Sequence, residues 1–411
     1  MAGEFQAPRG TADLLPVSEE AHRFVVETFR KITGRAGFRS IETPAFEDTA
    51  LFQRGVGDST DIVRKEMFTF EDKGGRSLTL RPEGTAPICR AYIEHGMSRL
   101  PQPVKLAYEG SFFRHERPQA GRFRQFHQVG VEVIGADSPL ADAEVICLLD
   151  AFLGELEVPD LELHLGSLGS PEARKEYLSE LTAYLESRES ELSEDVRDRV
   201  GSNPLRAFDS DDEGTARVME EAPLLLDRLD GEDREHFERV RELLDEAGVG
   251  YTVDPTLVRG LDYYGRTVFS FTCDRLGAQS EVGGGGRYDG LITRLGGPDS
   301  PAIGWAAGVE RILLALDREG ESPELDLFLA WTEESVASRI PALARELRDG
   351  GISVGFDLAE RNLKGQLKQA DRAGARWTAI LAADGSAELK EMETGDQRAA
   401  ELGELASIVA D

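Results

Sequence analysis

A stretch of alternating polar and apolar side chains, Gln125–Ile134, constrains the fold more than any other part of the sequence. Successive side chains of a strand point to opposite faces, so Gln128, Gly130 and Glu132 share one face and three valines share the other. We predict that a small ligand lies on the polar face over Gly130, between Gln128 and Glu132, which are roughly 13 Å apart. The alternative is a half-exposed sheet whose polar residues face water. His127, on the valine side, is expected to be packed and hydrogen-bonded rather than catalytic.

The first 165 residues combine helical and strand periodicity. One apolar stripe predicts a helix over residues 19–35, and short apolar runs predict strands over 77–81 and 104–109. Between these strands, a second helix is predicted to begin at Thr85, as a cap, and to end at Gly96.

A change in composition marks a helical insertion at residues 170–250, which are rich in Glu, Asp, Arg and Leu. Strand character returns at 251–253 and 267–272, and a glycine run at 283–286 precedes a predicted helix over 305–318. The polar segment 319–324 predicts a linker.

Beyond this linker, strands and helices are predicted to alternate. Buried strands are expected at 326–331, 353–356 and 377–381, with helices at 334–348 and 363–373 between them. This alternation predicts an α/β domain with parallel strands.

Length and cysteine content set the broad class. The 411 residues leave room for two or three domains. No apolar run approaches the roughly 18 residues of a membrane span, and the first five residues do not resemble a secretory signal. We therefore expect a cytoplasmic protein without membrane association. The scattered cysteines, Cys89, Cys147 and Cys273, argue against a disulfide framework or a zinc site.

The most unusual feature of the composition is its net charge. The chain has 47 basic and 77 acidic residues, a formal charge of −30, which by itself argues against nucleic-acid binding. Adaptation to high salt is the favoured explanation, because a Debye length of about 3 Å at 1 M salt removes long-range repulsion. A local basic groove remains compatible with this acidic surface.

Such a groove is indicated by four arginines within eleven residues, Arg114, Arg117, Arg122 and Arg124. Interrupted by Pro and Gly, they form a loop of rigid, bidentate anion binders, for which phosphate is the natural ligand. The alternative is a solvated surface loop paired with Glu116.

Two further segments carry groups suited to an amino-acid substrate. Glu83 and Thr85, separated by a glycine, are suited to holding an ammonium group, although capping of the next helix explains Thr85 equally well. Arg259, Tyr263 and Tyr264 lie among glycines, although paired tyrosines are commonly core residues.

Glycines mark the remaining two segments. The run at 283–286 lacks the lysine of a P-loop, so it indicates only a close approach of the backbone to a flat or bulky ligand. Gly304 and Gly308 suit a helix packed closely on a sheet, with Arg311 projecting from its first turns. Helix packing explains these glycines, and a phosphate contact is the less frequent explanation for the arginine.

Together these segments resemble class II aminoacyl-tRNA synthetases and, among them, the histidine–tRNA ligase family. The strings that carry the resemblance are residues 9–16 (RGTADLLP), 81–85 (RPEGT), 113–132 as class motif 2, 259–264 (RGLDYY), 284–290 (GGGRYDG) and 304–311 as class motif 3. Motif 3 alone indicates only the class. The RGLDYY string with Gln128 and Glu132 indicates histidine.

The resemblance implies an α+β fold with a class II catalytic domain at residues 1–323 and an α/β anticodon-binding domain at 324–411. The catalytic domain has a six-stranded antiparallel sheet, and the insertion at 170–250 touches the tRNA acceptor arm. Residues 361–368 resemble a tRNA-facing helix of the second domain. A homodimer is implied, with tRNA(His), L-histidine and ATP as partners, Mg²⁺ bridging the phosphates, and no tightly bound cofactor or protein-bound metal.

Roles for individual residues also follow from the resemblance. Catalysis is expected from Arg114 and Arg259, which contact the α-phosphate of ATP from opposite sides, and ATP binding also from Arg122 and Arg311. The residues expected to bind histidine are Glu83, Thr85, Gln128, Glu132, Tyr263, Tyr264 and Tyr288. Glu132 and Tyr264 are expected to bond the imidazole nitrogens, and Glu83, Thr85 and Gln128 the α-ammonium.

The sequence departs from the family at Gly265, where a larger polar residue is frequent, and at Ser270, where an acid is frequent. One alternative is the catalytically silent paralogue that serves as a regulatory subunit of ATP phosphoribosyltransferase. That paralogue usually lacks the C-terminal domain and the phosphate-binding arginines, both of which are present here. Another is a class II enzyme for a different amino acid, which Glu132 and the double tyrosine disfavour.

Overall fold

The computed structural model describes residues 5–57, 60–229, 231–277, 280–318, 320 and 325–410. Apart from Gly320, the predicted linker at 319–324 lies outside the described residues. The α-helices are α1 (Pro16–Arg35), α2 (Thr49–Val56), α3 (Thr85–Glu94), α4 (Pro139–Glu155), α5 (Pro171–Glu186), α6 (Glu194–Arg197), α7 (Glu213–Met219), α8 (Gly231–Ala247), α9 (Leu291–Arg294), α10 (Val309–Leu316), α11 (Glu334–Ala337), α12 (Ile340–Asp349), α13 (Leu363–Arg372) and α14 (Leu405–Ala410).

The strands form three sheets, and the described chain divides into two compact units. The first holds the described residues of 5–13 and 21–318, and the second holds those of 14–20, 320 and 325–410. The strands are β1 (Arg39–Ser40), β2 (Phe46–Asp48), β3 (Thr69–Glu71), β4 (Ser77–Leu80), β5 (Val104–Phe113), β6 (Gln125–Ile134), β7 (Leu161–Ser167), β8 (Thr252–Val253), β9 (Gly265–Cys273), β10 (Glu281–Arg287), β11 (Ala302–Gly308), β12 (Leu325–Trp331), β13 (Val354–Phe356), β14 (Ala375–Leu381), β15 (Ser386–Glu391) and β16 (Gln397–Glu401).

The central sheet of the first unit has the order β1-β5-β6-β11-β10-β9-β7-β8. Its six inner strands are antiparallel, and the two-residue strands β1 and β8 add parallel pairs at the edges. The predicted α+β fold with a six-stranded antiparallel sheet is therefore confirmed, with the short edge strands as an addition.

Strand β6 has the predicted bounds and the predicted two faces. Val129, Val131 and Val133 are at most 3% exposed and pack in one core cluster with Phe29 of α1 and Phe152 of α4. Burying each valine stabilises the fold by about 1.5–3 kcal/mol, which fixes the register and turns Gln128 and Glu132 to the other face.

The predicted helix over 305–318 is wrong in its first part. Residues up to Gly308 belong to strand β11, and only Val309–Leu316 is helical. Gly304 pairs with Glu132 of β6, and a Cβ atom at residue 304 would lie 1.8 Å from the Glu132 carboxylate. The glycine that suggested helix packing instead permits close pairing of two strands, which local periodicity does not reveal.

The glycine run also forms a strand, β10, between β9 and β11. A Cβ atom at Gly285 would lie 1.9 Å from the backbone oxygen of Gly304. Part of the close backbone approach predicted for this run is therefore an approach to the neighbouring strand.

The described part of the insertion is helical, as predicted. Helices α5 to α8 and intervening 3₁₀ turns occupy most of residues 171–247. Tyr177, Leu181 and Leu185 of α5 are buried in a core cluster shared with Tyr263 and Tyr264. The insertion therefore shares a hydrophobic core with two of the predicted site residues, and Arg174 of α5 donates to the Tyr264 backbone oxygen at 2.6 Å.

The second unit contains a five-stranded sheet of order β13-β12-β14-β15-β16. Its first three strands are parallel, as predicted, whereas β15 and β16 add antiparallel pairs that the sequence interpretation missed. The single helix predicted over 334–348 is two helices, α11 and α12, because Pro341 in the first turn of α12 cannot continue an earlier helix.

None of the helices in the described ranges combines the length and the apolar character needed to cross a membrane.

Candidate active site

A cavity of about 560 Å³ opens on the polar face of the central sheet in the first unit. Ten of the eleven predicted site residues line it: Glu83, Thr85, Arg114, Arg122, Gln128, Arg259, Tyr263, Tyr264, Tyr288 and Arg311. The structure thus brings side chains from five separate sequence segments to one place.

Glu83 determines how helix α3 begins. Its carboxylate accepts hydrogen bonds from the backbone N–H groups of Thr85 at 2.7 Å and Ala86 at 3.0 Å. Thr85 does not cap the helix, because Gly84 is the N-cap residue and the Thr85 hydroxyl donates to Glu132 at 2.7 Å. The hypothesis that Thr85 acts as the cap is therefore wrong, and its hydroxyl belongs to the site.

Glu132 lies beneath the cavity wall and is 1% exposed. It accepts hydrogen bonds from the hydroxyl groups of Tyr288 at 2.5 Å and Thr85 at 2.7 Å. Burial raises the pKa of Glu132 to about 8, although both hydrogen bonds act in the opposite direction, and the nearby Glu83 carboxylate raises it further. Burial also raises the pKa of Glu83. Two carboxyl groups with weakened acidity therefore lie at the base of the site.

The gap predicted above Gly130 is filled by Tyr108. A Cβ atom at residue 130 would lie 2.4 Å from the Cζ and Oη atoms of the Tyr108 phenol, which also packs against Gly84. The prediction that a ligand lies directly on Gly130 is therefore wrong. The sequence interpretation missed Tyr108, which lines the cavity from the neighbouring strand β5.

Three tyrosines form an aromatic wall. The rings of Tyr263 and Tyr264 are 4.7 Å apart between centroids, and those of Tyr263 and Tyr288 are 5.8 Å apart. The Tyr263 hydroxyl donates to Glu83 at 3.4 Å. Burial raises the pKa of Tyr264 to about 12, so that its hydroxyl keeps its proton at neutral pH and can donate a hydrogen bond.

Gln128 also faces the cavity. Its side-chain oxygen is buried and has no hydrogen-bond partner within the part of the chain that the structure describes. Buried acceptors normally find a donor, so this oxygen is suited to a ligand N–H group. His127, the preceding residue, is hydrogen-bonded as predicted, to Glu310 at 3.0 Å and Ser111 at 3.2 Å.

Two arginines enter the cavity from the loop after β5. The Arg114 Nε atom donates to the Pro82 backbone oxygen at 2.9 Å, and its guanidinium packs on the Phe126 ring at 5.4 Å. Arg122 pairs with Glu116 at 3.0 Å. Both predictions for this loop are therefore met in part. Its arginines face the cavity, as expected of an anion-binding loop, and Arg122 also pairs with Glu116.

The other two arginines share a partner that the sequence interpretation missed, Glu281. Its carboxylate pairs with Arg259, and its backbone oxygen accepts from the Arg311 Nε atom at 2.5 Å. Ser270 donates to the same carboxylate at 2.8 Å. The only local signal for Glu281 is an acidic residue two positions before the glycine run, since Arg259 and Arg311 are 22 and 30 residues away in the sequence.

Both signs of charge line the cavity. Arg114, Arg122, Arg259 and Arg311 converge there, although the formal net charge of the chain is −30. Five acidic residues also line it: Glu83, Glu116, Asp209, Glu281 and Glu310. The site can thus receive a polyanion among the guanidinium groups and a cationic or polar group near the buried carboxyls.

Family models match both units of the chain. The model described as "Histidyl-tRNA synthetase" matches residues 10–312, and the model described as "Anticodon binding domain" matches residues 328–411. The first covers well over half of the sequence.

Individual proteins match over nearly the full length. The histidine–tRNA ligase of Halothermothrix orenii is 46% identical over 402 residues, which cover 96% of each chain. That of Nocardia farcinica is 46% identical over 98% of this chain and 97% of its own. The crystal structure of apo S. aureus histidyl-tRNA synthetase is 36% identical, covers 99% of this chain and 100% of its own, and superimposes with a TM-score of 0.83.

Proposed function

The chain belongs to the histidyl-tRNA synthetase family, and on this basis we propose that it ligates L-histidine to tRNA(His) in two steps. ATP first activates the amino acid as histidyl-adenylate, and the terminal ribose of the tRNA then receives the histidyl group. One observation supports the described cavity as the site of this reaction. The cavity is lined by three arginines from distant segments, Arg114, Arg259 and Arg311, together with the buried Glu83 and the tyrosine wall.

In the first step, a carboxylate oxygen of histidine forms a bond to the α-phosphorus of ATP, and the bond to the bridging oxygen breaks to release pyrophosphate. Such a reaction needs little covalent help from the protein, so positioning and charge stabilisation dominate. We assign Arg114 and Arg259 to opposite sides of the α-phosphate, and Arg122 and Arg311 to the rest of the triphosphate. The guanidinium groups stabilise charge that develops on the phosphate oxygens.

The α-ammonium of histidine is assigned to Glu83, Thr85 and Gln128. The side-chain oxygen of Gln128, which has no partner among the described residues, supports this role because it can accept one ammonium N–H. The Oε2 atom of Glu83 accepts from the Thr85 N–H and the Tyr263 hydroxyl. In the part of the chain that the structure describes, the Oε1 atom accepts only from the Ala86 N–H and keeps one lone pair for the ligand.

The imidazole is assigned to Glu132 and Tyr264, beside Tyr263 and Tyr288. Both oxygens of Glu132 already accept a hydroxyl, but each has a second lone pair for an imidazole N–H. A site that satisfies both ring nitrogens can reject analogues without them by about 10⁴-fold or more, without an editing step.

Mg²⁺ accompanies ATP as part of the substrate and neutralises phosphate charge. The cavity carboxylates of Glu116 and Asp209 are oxygen ligands of the type that Mg²⁺ prefers. Among the described residues, no group of three or more His, Cys, Asp or Glu side chains forms a metal site. We propose that the ion arrives bound to the phosphates of ATP.

For the second step, we assign residues 1–323 to catalysis, with the insertion at 170–250 contacting the acceptor arm, and residues 324–411 to the anticodon. The proposed tRNA-facing segment, 361–368, spans the start of helix α13, where Asn362 caps the helix by accepting from the Gly365 N–H at 3.0 Å. Lys364 and Lys368 lie on this segment and supply positive charge for a phosphate backbone.

We further propose a cytoplasmic homodimer that works at high ionic strength. The described cysteines Cys89, Cys147 and Cys273 are all free thiols, which fits a reducing compartment. The charge of −30 would repel tRNA in dilute salt, so screening is expected to assist the encounter. The regulatory-subunit alternative is not favoured, because the chain keeps both the anticodon-binding unit and the cavity arginines.

The proposal is tested by ATP–pyrophosphate exchange in the presence of each of the twenty amino acids. Exchange should depend on histidine, and tRNA(His) transcript should then be charged with histidine. Exchange with another amino acid would contradict the substrate assignment, and histidine binding without exchange would support the regulatory alternative.

A further inference from the structure

Glu281 stands outside every sequence motif discussed above, yet it contacts two of the four arginines that converge on the cavity. It is the first residue of β10, and its side chain and backbone hold Arg259 and Arg311 respectively. A single residue therefore links the groups assigned to the two ends of the triphosphate.

The contact with Arg259 is two-pronged. Both terminal nitrogens of the guanidinium donate to the Glu281 carboxylate, with Nη2 and Oε1 3.2 Å apart. Within the described ranges, the remaining nitrogen, Nε, is buried and has no hydrogen-bond partner. A two-pronged pair fixes the plane of the guanidinium, and here it leaves one edge available for a ligand.

The carboxylate is itself held in place. Ser270 of β9 donates to its Oε2 atom at 2.8 Å, so two donors from different segments fix its orientation. The Glu281 side chain is 47% exposed, and its partial desolvation acts to raise the pKa. The charge and hydrogen bonds of Arg259, with the bond from Ser270, nevertheless leave the pKa below its usual value. Glu281 therefore carries a negative charge at neutral pH.

The neighbouring backbone leaves room for this arrangement. A Cβ atom at Gly284 would lie 3.1 Å from the Arg259 Nη1 atom, and the Tyr264 ring centroid lies 5.9 Å from the Arg259 Cζ atom. The Arg259 side chain is 12% exposed. Arg259 thus occupies a fitted place between a strand, an aromatic ring and one carboxylate.

We propose that Glu281 is a positioning residue for the adenylation step, which holds the Arg259 guanidinium in the orientation that meets the α-phosphate and fixes Arg311 through its backbone. This inference rests on the proposed function. Glu281 itself does not contact the reacting atoms in this proposal and acts only through the two arginines. Preorganised charge is worth most when it need not reorient during reaction, so loss of the partner should slow catalysis more than it weakens binding.

The test is histidine-dependent ATP–pyrophosphate exchange by Glu281→Ala and Glu281→Gln proteins. We expect kcat to fall on the order of 10²-fold for Ala and about tenfold for Gln, because a misplacement of about 1 Å can cost 10²-fold. The KM for histidine should stay within about twofold, since no histidine-binding residue is altered. Thermal unfolding checks that each protein folds, and the near-isosteric Gln variant serves if the Ala variant does not.

A matched control and a rescue sharpen the test. Glu180 and Arg228 form another two-pronged pair, at 2.6 and 3.0 Å, in the insertion, so Glu180→Gln should leave exchange unchanged.

Because Ser270 lies within hydrogen-bond distance of the Glu281 carboxylate, Ser270→Glu can present a carboxylate to Arg259 from the adjacent strand. Ser270→Glu added to Glu281→Ala should recover at least tenfold in kcat.

Three outcomes would overturn the inference: an unchanged kcat in folded Glu281→Ala, a lower KM for ATP with an increased rate, or no recovery with Ser270→Glu. The second would show that Glu281 competes with phosphate instead of positioning the arginine. Lack of histidine-dependent exchange in the unaltered protein would instead overturn the proposed function, and the inference with it.

Discussion

The hydroxyl of Tyr288 donates a 2.5 Å hydrogen bond to Glu132, a carboxyl group that is 1% exposed below the cavity. Thr85 donates to the other oxygen of the same group. These two bonds satisfy the carboxyl but do not restore the solvation it loses, so its pKa rises to about 8. Titration of Glu132 should therefore contribute to the pH dependence of stability, beside other groups whose pKa is raised, such as Glu83.

The first prediction concerns the pH dependence of stability. The pKa of Glu132 is about 8 in the folded state and close to 4.3 in the unfolded state. The folded state therefore binds more protons between these values, and the contribution of Glu132 to the free energy of unfolding is lost as pH rises from about 4.3 to about 8. The slope is at most about 1.4 kcal/mol per pH unit. Glu132→Gln should flatten this part of the stability curve, measured by urea unfolding.

Glu180→Gln is the control for this experiment. Glu180 pairs with Arg228, and its pKa is lowered, so its own titration lies below the range of interest. This variant should keep the wild-type slope between pH 5 and 8. If the free energy of unfolding of the Glu132→Gln protein fell with pH as steeply as that of the wild type, Glu132 would not be the group responsible for the decline.

The second prediction concerns substrate selectivity. Glu132→Gln should weaken histidine binding, because the amide NH₂ group can only donate, whereas both oxygens of the Glu132 carboxyl group carry lone pairs that can accept an imidazole N–H. ATP binding should change little, since the arginines are untouched. Isothermal titration with each ligand separates the two, and an equal loss for ATP would remove Glu132 from the imidazole site.

The third prediction concerns Tyr108 and Gly130. Gly130→Ala places a methyl group 2.4 Å from the phenol and 2.7 Å from the Trp305 backbone oxygen. Overpacking of this kind should lower the free energy of unfolding by about 1–3 kcal/mol. Gly154 lies on an exposed face of α4, where an added Cβ atom would meet no other atom within 4 Å, so Gly154→Ala should instead stabilise by about 0.5–1 kcal/mol. If Gly130→Ala left the free energy of unfolding unchanged, Tyr108 would have to move aside at no cost.

The fourth prediction concerns salt. The 77 acidic residues repel one another, and KCl screens that repulsion, so the melting temperature should rise from low to multimolar KCl. Charging of tRNA should decline more steeply than pyrophosphate exchange at low salt, because only charging requires a large polyanion. A melting temperature that falls with KCl would contradict the high-salt interpretation of the acidic surface.

The sequence predicts the parts of this molecule that are encoded locally. Strand β6 has the bounds that its pattern predicts, because buried valines alternate with polar residues over ten positions. The residues of the cavity are predicted from motif strings, which report the spacing of chemically distinctive side chains rather than their secondary structure.

Long-range pairing explains most of what the sequence does not predict. Local periodicity assigns the last four residues of β11 to a helix, because these mostly small residues have weak intrinsic preference and only pairing with β6 and β10 makes them a strand. Tyr108 and Glu281 escape prediction for a related reason. Each acts on a residue from another segment, Gly130 and Arg259, and neither lies within a recognised string.

The measurement that tests the central claim most directly compares the wild-type and Arg259→Ala proteins in histidine-dependent ATP–pyrophosphate exchange, with histidine binding measured on the same samples. If the converging guanidinium groups stabilise the reacting phosphate, the variant should lose on the order of 10²-fold or more in exchange and still bind histidine with near-normal affinity. Exchange at the wild-type rate in a folded Arg259→Ala protein would contradict the account.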